Sequence, residues 1–388
     1  MSKSTGPALA CLRRAYTKGC ILQALADALD CFYNGAQTSA LSSIRWLDKA
    51  IIIAGAPGEG KLDLILDTIG NVQADFLGRG AEEVVAGLPP EPPQRLTTTL
   101  GSMKTAVNSI PRLGRPPSLA SFVSHMAQQP FILSGFIQDW PALNEHPWRS
   151  PRYLRSIAGP GRIVPVEIGD DYRKDEWTQA LMPWDEFLDK VMPSPKSTQA
   201  SDLPVLYLAQ HNLFLQFPAL QSDVIVPDYV YSSLPPPPDF PHYEPPTNAD
   251  QLVMNAWLGP ASTVSPAHTD PFYNFYAQAV GRKTVWLAPP DVGPSMYPFP
   301  PPGTAADRPH NPAANHTNAS MSNTSQVDVF SSPDGDGTAH RPFPLFWENV
   351  VDRAMCATLE PGDLLFFPPG WWHAMRSEEV SFSVSMWF

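Results

Sequence analysis

The chain has 388 residues, 43% of them apolar and only 16% charged, with 46 prolines and a formal net charge of −12. That is enough chain for two domains with a sizeable core, and too apolar for a disordered one. An acidic chain without a Lys/Arg run is unsuited to direct grip on nucleic acid, where phosphates need clustered cations, but it suits a basic protein or peptide partner.

No apolar run reaches the roughly 18 residues of a membrane span, and the N-terminus lacks a secretory core with a small-residue cleavage site. An intracellular location, nuclear or cytoplasmic, is expected. The Asn-X-Ser/Thr triplets at Asn315, Asn318 and Asn323 then read as polar loop rather than glycan sites. Cys11, Cys20, Cys31 and Cys356 form no CxxC pair, which argues against a zinc ribbon and for buried, reduced thiols.

In chain order, residues from about 8 to 88 read as an all-helical N-terminal domain. Leu and Ala recur at helical spacing in Ile21-Leu-Gln-Ala-Leu-Ala-Asp-Ala-Leu29 and again in Leu62-Asp-Leu-Ile-Leu-Asp-Thr-Ile69. Between them, Gly55-Ala-Pro-Gly-Glu-Gly60-Lys61 matches part of a phosphate-binding loop. Leu62 follows where a Ser/Thr should hold Mg2+, so a Gly/Pro turn between two helices, with Gly55 as a C-cap, is expected. Residues 89–117, rich in Pro, Thr and Arg, read as a linker.

The character changes from about residue 118. Ten of the eleven tryptophans lie after residue 139, and short apolar runs alternate with Gly/Pro turns, as in a β-rich core. Residues 118–388 therefore read as the second domain. Within it, 292–342 is a low-complexity stretch of Pro, Asn, Ser and Gly, expected to be a mobile surface excursion.

Two stretches of this domain carry chemistry. Pro266-Ala-His268-Thr-Asp270 has the look of a strand end, where residues two apart share a face and can reach one ion. Glu360-Pro-Gly-Asp363 is a tight turn before the apolar run Leu364-Leu-Phe-Phe367, and Pro368-Pro-Gly-Trp-Trp-His373 follows. Two imidazoles and a carboxylate form a facial triad suited to Fe(II) with three positions left open, whereas structural zinc wants four closed ligands. His268, Asp270 and His373 are the candidate metal ligands and catalytic centre. A core histidine beside two tryptophans is the structural alternative for His373.

At this point the chain resembles the JmjC family of Fe(II)- and 2-oxoglutarate-dependent oxygenases, over roughly residues 125–388. The resemblance rests on the metal motif, Pro130-Phe-Ile-Leu-Ser-Gly135, Tyr207-Leu-Ala-Gln-His211, Gly281-Arg-Lys283 and Phe382-Ser-Val-Ser-Met-Trp387. Asn323-Thr-Ser-Gln-Val-Asp-Val329 is similar to the subgroup with a helical N-terminal domain, described both as a histone lysine demethylase and as an arginyl hydroxylase. The resemblance implies an α+β chain whose C-terminal domain is a cupin-like double-stranded β-helix, or jelly roll, with flanking helices. It implies Fe(II), 2-oxoglutarate and O2 as cofactor and co-substrates.

It also assigns roles. Lys283, just past the turn at Gly281, should pair with the far carboxylate of 2-oxoglutarate, with Tyr207, Ser265 and Asn274 as polar contacts. Glu167, in Val164-Pro-Val-Glu-Ile-Gly169, matches a guanidinium-binding carboxylate, and Trp257 and Trp387 match pocket tryptophans. Such a set suits an arginine side chain, through the carboxylate's fit to the guanidinium fork and flat rings for stacking. Hydroxylation of arginine in a basic protein or peptide is the expected activity. Demethylation of a histone methyl-lysine and a non-catalytic cupin-like binding module are the alternatives. A monomer is expected, because the sequence shows no dimerisation helix after Trp387.

Overall fold

Leu and Ala at helical spacing form three N-terminal helices, α1 (Pro7–Asn34), α2 (Gln37–Ala54) and α3 (Lys61–Leu77), closed on each other by Ile44, Leu47, Ile51, Ile65, Ile69 and Val72. The computed structural model describes residues 6–78, 103–174, 176–193, 204–301, 321–331 and 342–388. Gly55 ends α2 with φ 73°, its N–H turned back to the Ile51 carbonyl and that of Ala56 to the Ala50 carbonyl, and Lys61 opens α3. The phosphate-loop look-alike is thus a helix–turn–helix corner, as its missing Ser/Thr suggests. Cys20 and Cys31 are buried free thiols, but Cys11 is exposed and Cys356 half-buried, so burial accounts for only two of the four.

The helical domain is fastened to the rest by buried polar groups. The Asp48 carboxylate of α2 takes both nitrogens of the Arg162 fork, the Ile163 N–H and the Gln216 amide. Gln73 of α3 donates to the carbonyls of Ala158 and Pro160.

The C-terminal domain is a two-sheet jelly roll. Its strands are β1 (Asn108–Ser109), β2 (Arg112–Leu113), β3 (Phe131–Leu133), β4 (Ile163–Ile168), β5 (Thr178–Pro183), β6 (Leu206–His211), β7 (Val253–Gly259), β8 (Val264–Thr269), β9 (Asn274–Val280), β10 (Lys283–Ala288), β11 (Met355–Leu359), β12 (Leu364–Phe367), β13 (Trp372–Ser377) and β14 (Ser381–Trp387). One sheet runs β1-β11-β10-β13-β8, the other β2-β3-β12-β9-β14-β7-β6-β4-β5. Tyr276, Val285, Leu287, Leu365, Phe367 and Met375 fill the space between them. Helices at Pro151–Ala158 and Trp184–Val191 cover the outer face of the larger sheet.

Two segments differ from their sequence reading. The linker region from residue 103 onward joins the fold: β1 pairs with β11, β2 pairs with β3, and the Thr105 carbonyl accepts from the Trp286 indole. Residues 89–102 lie outside the described residues. The 292–342 stretch is not wholly a surface excursion either. Val327 and Val329 are buried against Trp286, Trp372 and Phe346 on the outer face of the smaller sheet. Alternating apolar residues in Gln326-Val-Asp-Val329 supply that anchor, which composition alone conceals. Residues 302–320 and 332–341 lie outside the described residues.

Candidate active site

β8 and β13 run antiparallel with His268 directly opposite His373, so strand pairing itself sets the two imidazoles side by side, 4.2 Å between ring centroids. Asp270 follows one residue after the end of β8. Its Oδ2 lies 3.4 Å from His373 Nε2 and 4.0 Å from His268 Nε2, and the three donor atoms all fall within 4.8 Å of one another.

Backbone carbonyls fix the rings: Pro266 O lies 2.7 Å from His268 Nδ1, and Trp371 O lies 3.1 Å from His373 Nδ1. A carbonyl only accepts, so each Nδ1 carries the proton and each Nε2 presents its lone pair to the centre. Burial, with the neighbouring His373, pushes His268 down to about 4, so it is neutral at ordinary pH. Burial alone would raise Asp270, yet the two imidazoles beside it, His373 first, hold the carboxyl below its usual range. Phe367 packs on the His373 ring at 4.7 Å. Two imidazoles and one carboxylate, with no thiolate, fit a divalent iron ion, and they form the one such cluster of metal-binding side chains among the described residues.

Beside the triad, a narrow cavity is lined by Ser265, Asn274, Tyr276 and Trp257. The hairpin at Gly281 explains how a lysine comes here. Gly281 has φ 68°, and a Cβ on it would meet the Val380 carbonyl at 2.0 Å, so only glycine makes the turn that starts β10 at Lys283. Lys283 is 1% exposed and donates to the Tyr276 hydroxyl at 2.8 Å. Burial lowers its amine from 10.5 to about 7. Tyr207 is raised well above 10 by burial, and its hydroxyl bonds Ser265. The Asn274 Oδ1 is buried without a hydrogen-bond partner. A buried cation facing phenols instead of a carboxylate, beside an orphaned amide oxygen, fits a small dicarboxylate such as 2-oxoglutarate.

A family model described as a cupin-like domain matches residues 120–388. Lysine-specific demethylase 8 of Danio rerio is 32% identical over 378 residues, covering 97% of this chain and 80% of the relative. Its Xenopus tropicalis namesake and Jumonji C domain-containing protein 5 of Drosophila melanogaster are each 37% identical over 282 residues. Each match covers 72% of this chain, and 53% and 59% of those relatives respectively. The chain belongs to the cupin-like JmjC family. As a JmjC 2-oxoglutarate-dependent dioxygenase it has a fold and a donor set that agree with the oxygenase chemistry of that family.

Of the other residues singled out from sequence, the structure brings some together and separates others. Glu167 on β4 stands opposite Tyr207 on β6, hence on the same sheet face. Burial lifts its carboxyl to about 7, partly offset by hydrogen bonds from two neutral side chains, Trp177 and Gln179. Trp257 lines the cavity, but its indole N–H is already given to Ser385 at 3.0 Å. Trp387 lies outside the lining. It stacks on Phe272 with ring centroids 5.6 Å apart, and its buried indole N–H has no partner.

Several residues at the site carry no sequence signal of their own. Tyr276 shares a face of β9 with Asn274 by two-residue alternation, but only the fold shows that it holds Lys283. Trp177 reaches Glu167 across a ten-residue gap. Tyr172 lies where it feels the Asp270 charge and approaches the Thr324 hydroxyl at 3.4 Å. Thr324 in turn bridges to His268, and the Thr269 N–H donates to the Asn323 carbonyl, so the segment around Thr324 braces the metal strand.

Proposed function

We propose that this chain is an Fe(II)- and 2-oxoglutarate-dependent protein oxygenase that hydroxylates an arginine side chain in a basic protein or peptide. The observation that carries the arginine assignment is Glu167, a mostly buried carboxylate whose hydrogen-bond partners are neutral and which faces the same side as Tyr207. A guanidinium would supply the missing cation and return the carboxyl to its ionised form.

In this reading His268, Asp270 and His373 hold the iron from one side, and both histidines keep their Nδ1 protons on backbone carbonyls. Bound there, Fe(II) with 2-oxoglutarate and O2 supplies the oxidation of a C–H bond. Lys283 anchors the far carboxylate of the co-substrate. Tyr207, Ser265 and Asn274 hydrogen-bond and orient it, and Tyr276 holds the Lys283 amine in place. Phe367, against His373, keeps water from the metal side. Glu167 aims the guanidinium, and Trp257 and Trp177 offer flat surfaces beside its path. Trp387, set back from the cavity, would contribute only at its mouth.

The names of the relatives favour a second reading, removal of a methyl group from lysine. The product decides: one added oxygen on arginine, or one lost methylene on methyl-lysine. The double substitution His268→Ala/Asp270→Ala should abolish succinate formation with any peptide; full turnover in that variant would refute the oxygenase reading itself.

A further inference from the structure

The helix α1 is apolar on two sides, and among the described residues only one of them is covered. Thr17, Cys20, Ala24 and Cys31 face α2 and are buried. Leu22, Leu25, Leu29, Phe32 and Tyr33, on the other side of the same turns, are 46–77% exposed. Eight of the seventeen large hydrophobics exposed among the described residues lie on this one helix, which marks it off from the rest of the surface. Its first turns are barer still. α1 has 28 residues and α2 only 18, so α1 runs on past its neighbour, and residues 11–16 are all exposed. Isolated turns of helix are marginal in water without a packing partner.

The charges along α1 say what covers it. Arg13, Arg14 and Lys18 lie in the first half and Asp27 and Asp30 in the second, while the first turn holds no acid and the last no base. Cations therefore sit toward the positive end of the helix dipole and anions toward the negative end, opposite to what steadies a lone helix. A copy of α1 laid antiparallel reverses both mismatches. The positions Ala8, Cys11, Ala15, Lys18, Leu22, Leu25 and Leu29 follow a strict alternation of three and four along the outward face, the seam of a helix pair. They are also close to self-complementary about the helix midpoint, as a two-fold interface requires.

We infer that this face joins two copies of the chain as an antiparallel α1 pair, the basic arm of each lying on the acidic, Leu-rich second half of the other. Antiparallel pairing brings Cys11 of one copy near Leu29 of the other, whereas parallel pairing brings the two Cys11 thiols together. Sedimentation velocity on the full chain should show a dimer. Leu22→Glu/Leu29→Glu should yield a monomer that still folds and unfolds cooperatively, because both positions are exposed. Mild oxidation of Leu29→Cys should trap a covalent dimer through Cys11, lost again in Cys11→Ser/Leu29→Cys. A wild-type monomer at micromolar and higher concentrations would overturn the inference. So would a dimer indifferent to the Leu22/Leu29 double substitution, or a Cys11–Cys11 disulfide in the unmutated chain.

Discussion

Replacing Lys283 by methionine should make the ligand-free protein more stable and the co-substrate site non-functional. The amine is buried without a carboxylate partner, and burial brings it from 10.5 to about 7. A depressed cation contributes stability that is present above the unfolded value and lost as pH falls through about 7. Three to four units of displacement make the penalty near neutral pH roughly 4 kcal/mol. Lys283→Met keeps the stem volume and forfeits one hydrogen bond to Tyr276, worth about 1 kcal/mol, so a net gain of about 2–3 kcal/mol is expected at pH 7. The same change leaves a buried carboxylate of 2-oxoglutarate unpaired, which costs about 3 kcal/mol or more and weakens binding by over about 100-fold. Urea unfolding of the ligand-free protein and calorimetric titration of 2-oxoglutarate onto the Mn(II)-loaded protein measure the two effects. A variant that is destabilised at pH 7 and still binds with wild-type affinity would make Lys283 an ordinary core residue and refute the pocket assignment.

Glu167 gives a pH signature. Its carboxyl, raised by burial to about 7, is protonated below that value, so KM for an arginine peptide should fall as pH rises through about 7. Glu167→Gln should flatten this profile and raise KM by about 10-fold or more, with peptide-independent 2-oxoglutarate turnover unchanged. Val327→Asp places an unpaired charge under the smaller sheet and should loosen the segment that braces β8. Metal titration should show weakened affinity; unchanged affinity would mean that the brace is dispensable. Asp48→Ala strands the Arg162 guanidinium, 5% exposed, at the junction of the two domains. A loss of about 3–5 kcal/mol in thermal unfolding is expected, and a loss under about 1 kcal/mol would show that the junction tolerates the unpaired guanidinium.

The parts of this site that sequence made legible are those fixed by local geometry. His268 and Asp270 advertise themselves by their spacing at a strand end and His373 by the apolar strand and Pro-Pro-Gly turn before it, whereas Lys283 is marked by its resemblance to the family, just past the glycine that forces the hairpin. Tyr276, Trp177 and Tyr172 were hidden because their partners lie on other strands or loops: register, not spacing, brings them in. The 292–342 stretch misled because its composition is that of a loop, while two valines at alternate positions suffice to pin part of it to the sheet. Trp387 reads as a pocket residue from its motif, yet its ring is taken up by Phe272. On α1, the Leu/Ala pattern revealed a helix, but only burial showed which of its two apolar faces was left open.

Arginine hydroxylation is tested most directly by incubating the Fe(II)-loaded chain with 2-oxoglutarate, O2 and a panel of arginine- and methyl-lysine-containing peptides, then reading succinate and peptide mass together. The account predicts succinate in step with one added oxygen on an arginine, lost in His268→Ala/Asp270→Ala and weakened in Glu167→Gln. Loss of a methyl group from lysine with arginine untouched, or succinate that persists in the triad variant, would contradict it.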